Sequence, residues 1–176
     1  MCTTADYTYK VGSKRKLRID LHFKLKPAHC NSTRKSEIGN LHPTATNLNS
    51  VTVRAPATTA NLGPGFDSIG MALDLWNELT LTHGTFKVEA TGEGADLVPL
   101  DTRNLAVTGV EAVFNHIGEP VPPLQYSQVN RVPFARGMGS SSSAIVSGLV
   151  AGSVISGADL SLEELQRQVQ EIGCAI

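Results

Sequence analysis

The sequence predicts an α+β fold, a mostly antiparallel sheet packed with helices. Three observations carry it. Val51–Ala55, Glu78–Thr82, Phe86–Ala90 and Leu124–Val129 read as strands, the first three by strict alternation of apolar and polar residues. Asn104 opens an amphipathic stretch with Leu105, Val107, Val110, Val113, Phe114 and Ile117 apolar, closed by Gly118 and Pro120. Two glycines and four serines then lead into an apolar run of small residues from Ala144 to Val154, the pattern of a buried helix.

The 176 residues suffice for one domain with its own core, and an apolar fraction of 41% is ordinary for a soluble protein. A net charge of -1 gives no global field that calls for nucleic acid or an anionic membrane. Cys2, Cys30 and Cys174 are too few and too scattered for a disulfide framework or a zinc site, which fits a reducing compartment. No apolar run approaches the roughly 18 residues of a membrane span.

Residues 1–50 stand apart. They hold nine Lys/Arg against three acids, a basic knot at Lys14-Arg15-Lys16 and Arg18, and an Asn/Ser/Thr-rich second half. Leu17–Phe23 alternates and suits one short strand, but nothing here builds a core. The segment reads as a poorly ordered or loosely attached extension. A basic, acid-poor, hydroxyl-rich stretch also describes an organellar leader, and a start codon further along would leave it outside the native protein.

From Val51 the elements follow closely. The first strand ends at Pro56, and Pro56–Gly70 is a shaped loop around Gly63-Pro64-Gly65. Asn61 and Asp67 sit on that loop, either as turn-formers bonding their own backbone or as site residues. Met71–Asn77 is apolar with one acid. His83-Gly84 parts the next two strands and predicts a hairpin between them. Thr91–Thr102 is loop, then come the 104–117 helix and the 124–129 strand. Past the glycine turn, Ser161-Leu-Glu-Glu164 matches a capping box, with Leu162, Leu165, Val169 and Ile172 at helical spacing and Glu163–Arg167 and Arg167–Glu171 as i,i+4 pairs. Glu171 is a solvated charge on that reading.

The organising stretch is Val132–Ala144. Gly137 and Gly139 precede Ser140-Ser-Ser-Ser143 at the mouth of the buried helix. The first amides of a helix lack internal partners, and the macrodipole leaves that end partly positive. Glycines admit a large anion to the backbone, and hydroxyls can cap or bind phosphate or metal. The pattern suits a phosphate cradle. An ordinary Gly/Ser loop ahead of a buried helix satisfies it as well. It is not a Walker loop, since no lysine follows the glycines, and Ser142 replaces the third glycine of a dinucleotide fingerprint.

Three segments together resemble the GHMP small-molecule kinases. Val132–Ser143 is similar to that superfamily's ATP-phosphate loop along its whole length, with Met138 where leucine is commoner. Pro56-Ala-Thr-Thr-Ala-Asn61-Leu-Gly-Pro-Gly-Phe-Asp67 resembles the homoserine kinase branch and differs from the P-G-[KR]-x-x-[LI]-x-G-E-H start of mevalonate kinases and galactokinases. Arg103-Asn104-Leu-Ala resembles the segment that contributes to the nucleotide-base pocket. The likeness covers residues 51–172, about the N-terminal half of such a kinase.

The resemblance implies a GHMP-kinase N-terminal domain (ribosomal protein S5 domain 2-like) over 51–176, with 1–50 outside it. It implies ATP-dependent phosphorylation of the side-chain hydroxyl of L-homoserine, with ATP and Mg2+ required. Asn61 and Asp67 match positions beside the acceptor hydroxyl. Pro133, Phe134, Ala135, Arg136, Gly137, Met138, Gly139, Ser140, Ser141, Ser142 and Ser143 match the loop around the ATP phosphates, with the amides of Gly137–Ser142 as donors. Ser141 and Glu171 match magnesium ligands, and Asn104 matches the adenine pocket. No nucleic acid or membrane partner is implied. The location is cytoplasmic, or plastid if residues 1–50 are a leader, and a full-length version could pair as a homodimer. Family members continue past the Glu171 region into an E-G-H-x-D-N-x-x-P type segment and a second half. Gly173–Ile176 stands there instead, so the expectation is a truncated kinase, inactive or unstable as it stands. The alternatives are another GHMP kinase with a different small alcohol, and a non-catalytic ATP-binding fragment.

Overall fold

The computed structural model describes residues 3–12, 16–25, 48–59, 70–158, 160, 164, 167, 168 and 171. The strands are β1 (Thr3–Gly12), β2 (Lys16–Leu25), β3 (Ser50–Thr59), β4 (Met71–His83), β5 (Lys87–Gly92) and β6 (Leu124–Asn130). The helices are α1 (Leu105–Ile117) and α2 (Ser140–Ile155), and Glu164, Arg167, Gln168 and Glu171 are also helical. The strands form one sheet in the order β1-β2-β3-β4-β6-β5. β2–β3 and β5–β6 are parallel, and β1–β2, β3–β4 and β4–β6 are antiparallel. The strand expected at Leu17–Phe23 lies within β2, which pairs with β1 and, over Lys16–Asp20, with β3.

Alternation explains which face is covered. Val51, Val53 and Ala55 of β3, Leu79 and Leu81 of β4, Val88 of β5, and Leu124 and Tyr126 of β6 are all buried on the helix side. Each such Val or Leu contributes about 1.5–3 kcal/mol by leaving water. α1 and α2 lie across this face and bring Val107, Val110, Val113, Phe114, Ile145, Leu149 and Val150 to the same core. The two helices touch backbone to backbone, so a Cβ on Gly148 would stand 2.3 Å from the Ala106 carbonyl. On the opposite face, Thr52 and Thr80 share a hydrogen bond of 2.9 Å, and the Arg54 guanidinium lies 5.1 Å over the Trp76 ring.

Two expectations are corrected. Residues around His83-Gly84 do not close a hairpin, because β6 sits between β4 and β5. The Gly84 amide donates to Pro123 O at 3.0 Å, so the turn passes over the start of β6 instead of folding back on β4. β5 instead pairs in parallel with β6, joined through α1. Nor does the first strand end at Pro56: β3 continues to Thr59 with a register shift between Pro56 and Ala57. β2 pairs β3 only as far as Arg54, so Pro56, which has no N–H, lies where that side of β3 has no β2 ladder to supply.

Candidate functional site

β6 delivers the chain to the glycine loop, and α2 carries it away. The turn between them holds three left-handed residues, Ala135 (φ 54), Gly137 (φ 70) and Gly139 (φ 70). Gly139 is the N-cap of α2 and makes no side-chain cap bond. It also lies against β3: a Cβ there would meet Thr58 Oγ1 at 2.5 Å and Thr58 O at 3.1 Å. A Cβ on Gly137 would meet open space. Thr58 N donates to Met138 O at 3.0 Å, fixing the loop to the end of β3.

Ser143 N donates to Gly139 O at 2.8 Å, the first bond of α2. Among the described residues, the amides from Gly137 to Ser142 donate to no protein acceptor. Ser141 and Ser142 are exposed, as are Phe134, Ala135, Arg136 and Gly137. No acidic residue stands in the first turn of α2, so nothing on the helix opposes its positive end. Phe134 packs on Gly94, where a Cβ would meet Phe134 Cβ at 2.8 Å, so the 93–98 turn flanks the loop.

Asn77 of β4 fastens this loop and was not singled out in the sequence. It is 5% exposed. Its Oδ1 accepts from Arg131 N at 2.8 Å and from Val132 N at 2.9 Å. Its Nδ2 donates to Ser143 Oγ at 2.8 Å, and Ser143 Oγ donates to Ser140 O at 2.8 Å. The available signal was phase: Asn77 shares the inward phase of Leu79 and Leu81, and a polar side chain at a core position is there to be bonded.

Two expected nucleotide contacts sit elsewhere in the chemistry. Ser143 is 4% exposed, with its amide and hydroxyl both spent inside the protein, so it braces the loop and has nothing left for a phosphate. Asn104 is 1% exposed and caps α1, Oδ1 accepting from Ala106 N at 2.9 Å. Gln128 Nε2 donates to the same oxygen at 2.8 Å, while Asn104 Nδ2 donates to Pro99 O at 2.8 Å and to Gln128 Oε1 at 3.3 Å. Two acceptances and two donations fill a carboxamide, which leaves no bond for a base. Asn104 therefore shapes the 99–104 turn from behind. Gln128, like Asn77, sits in the inward phase of its strand with Leu124 and Tyr126.

Of the remaining expected residues, Ser141 and Glu171 are described and two are not. Asn61 and Asp67 lie outside the described residues, as does Glu163; the sequence places Asn61 three positions after Thr58. Glu171 is exposed and bonded to Arg167, which also binds Glu164; this bond holds the Glu164 carboxyl below its usual range. Glu164 reaches α1 as well, 3.4 Å from His116 Nε2. Ser141 is a free-standing hydroxyl at the mouth of α2. Among the described residues no three His, Cys, Asp or Glu gather to hold a metal. No described helix is long and apolar enough to cross a membrane.

Residues 104–176 match the family described as GHMP kinases N terminal domain. The chain is 44% identical over 124 residues to the homoserine kinase of Carboxydothermus hydrogenoformans, covering 69% of this chain and 41% of that one. It is 42% identical over 132 residues to the homoserine kinase of Trichormus variabilis, covering 73% and 42%. The crystal structure of homoserine kinase from Cytophaga hutchinsonii superposes with a TM-score of 0.61 at 26% identity, over 73% of this chain and 43% of that chain. The Methanococcus jannaschii mevalonate kinase, at 15% identity and a TM-score of 0.57, shares the fold over 69% and 45%. The chain spans about two fifths of the length of the curated relatives it matches.

Proposed function

We propose that this chain, which carries a GHMP kinase N-terminal domain, is the nucleotide-binding part of an ATP-dependent kinase that phosphorylates L-homoserine on its side-chain hydroxyl. One observation carries the reading: among the described residues, six successive amides, Gly137 to Ser142, stand without protein acceptors at the positive end of a buried helix. Phosphoryl transfer is mostly a matter of position and charge. Fixed main-chain donors would hold the triphosphate and balance the negative charge that gathers on its oxygens during transfer, with no reorganisation at that moment. Mg2+, in this reading, would neutralise the same oxygens.

Asn61 and Asp67 would hold the acceptor, Asp67 orienting homoserine through its ammonium or hydroxyl with no need to act as a strong base. The β3 residues ahead of them, Ala57-Thr58-Thr59, supply no lysine, which agrees with catalysis by positioning. Homology to enzymes named homoserine kinase supports this acceptor over mevalonate or galactose. The product, O-phospho-L-homoserine, belongs to threonine biosynthesis, and the protein would act in the cytoplasm.

The test is ATP binding by calorimetry, followed by ADP release with L-homoserine, mevalonate or galactose as acceptor. ATP binding competed by inorganic tripolyphosphate, with release rising only for homoserine, is the expected result. Equal release with all three acceptors would overturn the acceptor assignment. Absence of ATP binding at millimolar concentration would overturn the whole reading.

A further inference from the structure

We propose that Asn77 is a positioning residue for the phosphate loop, setting its affinity for polyphosphate without touching the ligand. The proposal rests on the phosphate-binding reading above and goes one layer beneath it. One carboxamide holds both ends of the loop, bonding Arg131 N and Val132 N where β6 hands over and Ser143 Oγ where α2 begins. Ser143 Oγ passes the tie to Ser140 O inside the first helical turn. The residues between these anchors include Ala135, a non-glycine residue held at φ 54. Such a conformation persists only where the surroundings over-determine it. Asn77 can supply that constraint because it is itself fixed, buried in the middle of a strand paired on both sides, with Ala55 opposite it on β3 and neighbouring Glu78 opposite Val129 on β6.

Without this brace the ligand would have to order the loop as it binds. Ordering even one backbone residue is worth about tenfold in an equilibrium constant. Asn77→Ala should therefore weaken tripolyphosphate and ATP by the same factor, about tenfold or more. Ser143→Ala keeps the two bonds to Oδ1 and should show a smaller loss of about threefold. A residue that merely stabilised the fold would lower the melting temperature and leave the dissociation constant of the folded protein unchanged.

The experiment is calorimetric titration of the whole chain and both variants with inorganic tripolyphosphate, well below each melting temperature, with folding checked by near-ultraviolet circular dichroism. Graded loss, larger for Asn77→Ala than for Ser143→Ala, supports the proposal. Wild-type affinity in folded Asn77→Ala would overturn it while leaving the phosphate reading intact. If Asn77→Ala does not fold, Ser143→Ala decides: unchanged affinity there overturns the proposal. Tripolyphosphate failing to bind the wild type would sink the phosphate reading, and this proposal with it.

Discussion

Adding one methyl group at Gly139 or at Gly137 separates backbone conformation from close approach. Both glycines sit at φ 70, so alanine suffers the same left-handed strain at each, about 1–2 kcal/mol. Part of that is offset because alanine restricts the unfolded chain, by about 0.4–1 kcal/mol. At Gly137 nothing else changes, since the new Cβ meets open space. The expected loss for Gly137→Ala is about 0.5–1 kcal/mol. At Gly139 the Cβ would stand 2.5 Å from Thr58 Oγ1 and 3.1 Å from Thr58 O. The hydroxyl can swing aside, but the carbonyl belongs to β3, whose next contact is the 3.0 Å bond from Thr58 N to Met138 O. Overpacking of this kind adds about 1–3 kcal/mol, so Gly139→Ala should lose about 1.5–4 kcal/mol in all. Urea unfolding of the two variants, compared at equal slope, reads the difference. Thr58→Ala in the Gly139→Ala background removes the closer contact and should recover part of the loss. Equal stability of the two alanine variants would refute the packing of the loop against β3.

Asn104→Ala should lose about 2–4 kcal/mol in urea unfolding, since it removes a helix cap and strands the buried Gln128 amide; a loss below 1 kcal/mol would refute the amide pair. Burial pushes the Tyr126 phenol up to about 12. The folded state holds that proton longer than the unfolded chain, so the contribution is complete below pH 10 and is lost as pH rises from 10 through 12. Tyr126→Phe should flatten this alkaline decline, which is worth up to about 3 kcal/mol; an unchanged slope of stability against pH would contradict it. Glu171→Gln breaks an exposed pair with Arg167 and should change stability by less than about 0.5 kcal/mol, a difference that vanishes in 1 M salt.

The helices were legible in the sequence because their signals are local. Asn104 and Gly118 bracket α1 as its caps, and the serine turn opens α2 where the glycines end. The glycine loop was legible for the same reason. Strand order was not, because alternation reveals which residues face inward and says nothing about which strand lies alongside. Gly84 looked like a hairpin turn, yet its amide serves Pro123, far along the chain. Pro56 looked like a strand end because its missing N–H was weighed without knowing that β2 stops short of it. Ser143 and Asn104 carry the residue types of ligands, and only burial reveals that their bonds are already used. Asn77 was overlooked for the converse reason: a lone asparagine in an apolar strand has no motif, and its importance comes from partners more than fifty residues away.

The most direct test of the central claim is an ATP titration followed by backbone amide resonances. The amides of Gly137 to Ser142 should shift most, while Ser143, already bonded to Gly139 O, should move little. Shifts centred on any other segment, with residues 137–142 unmoved at saturation, would contradict the account.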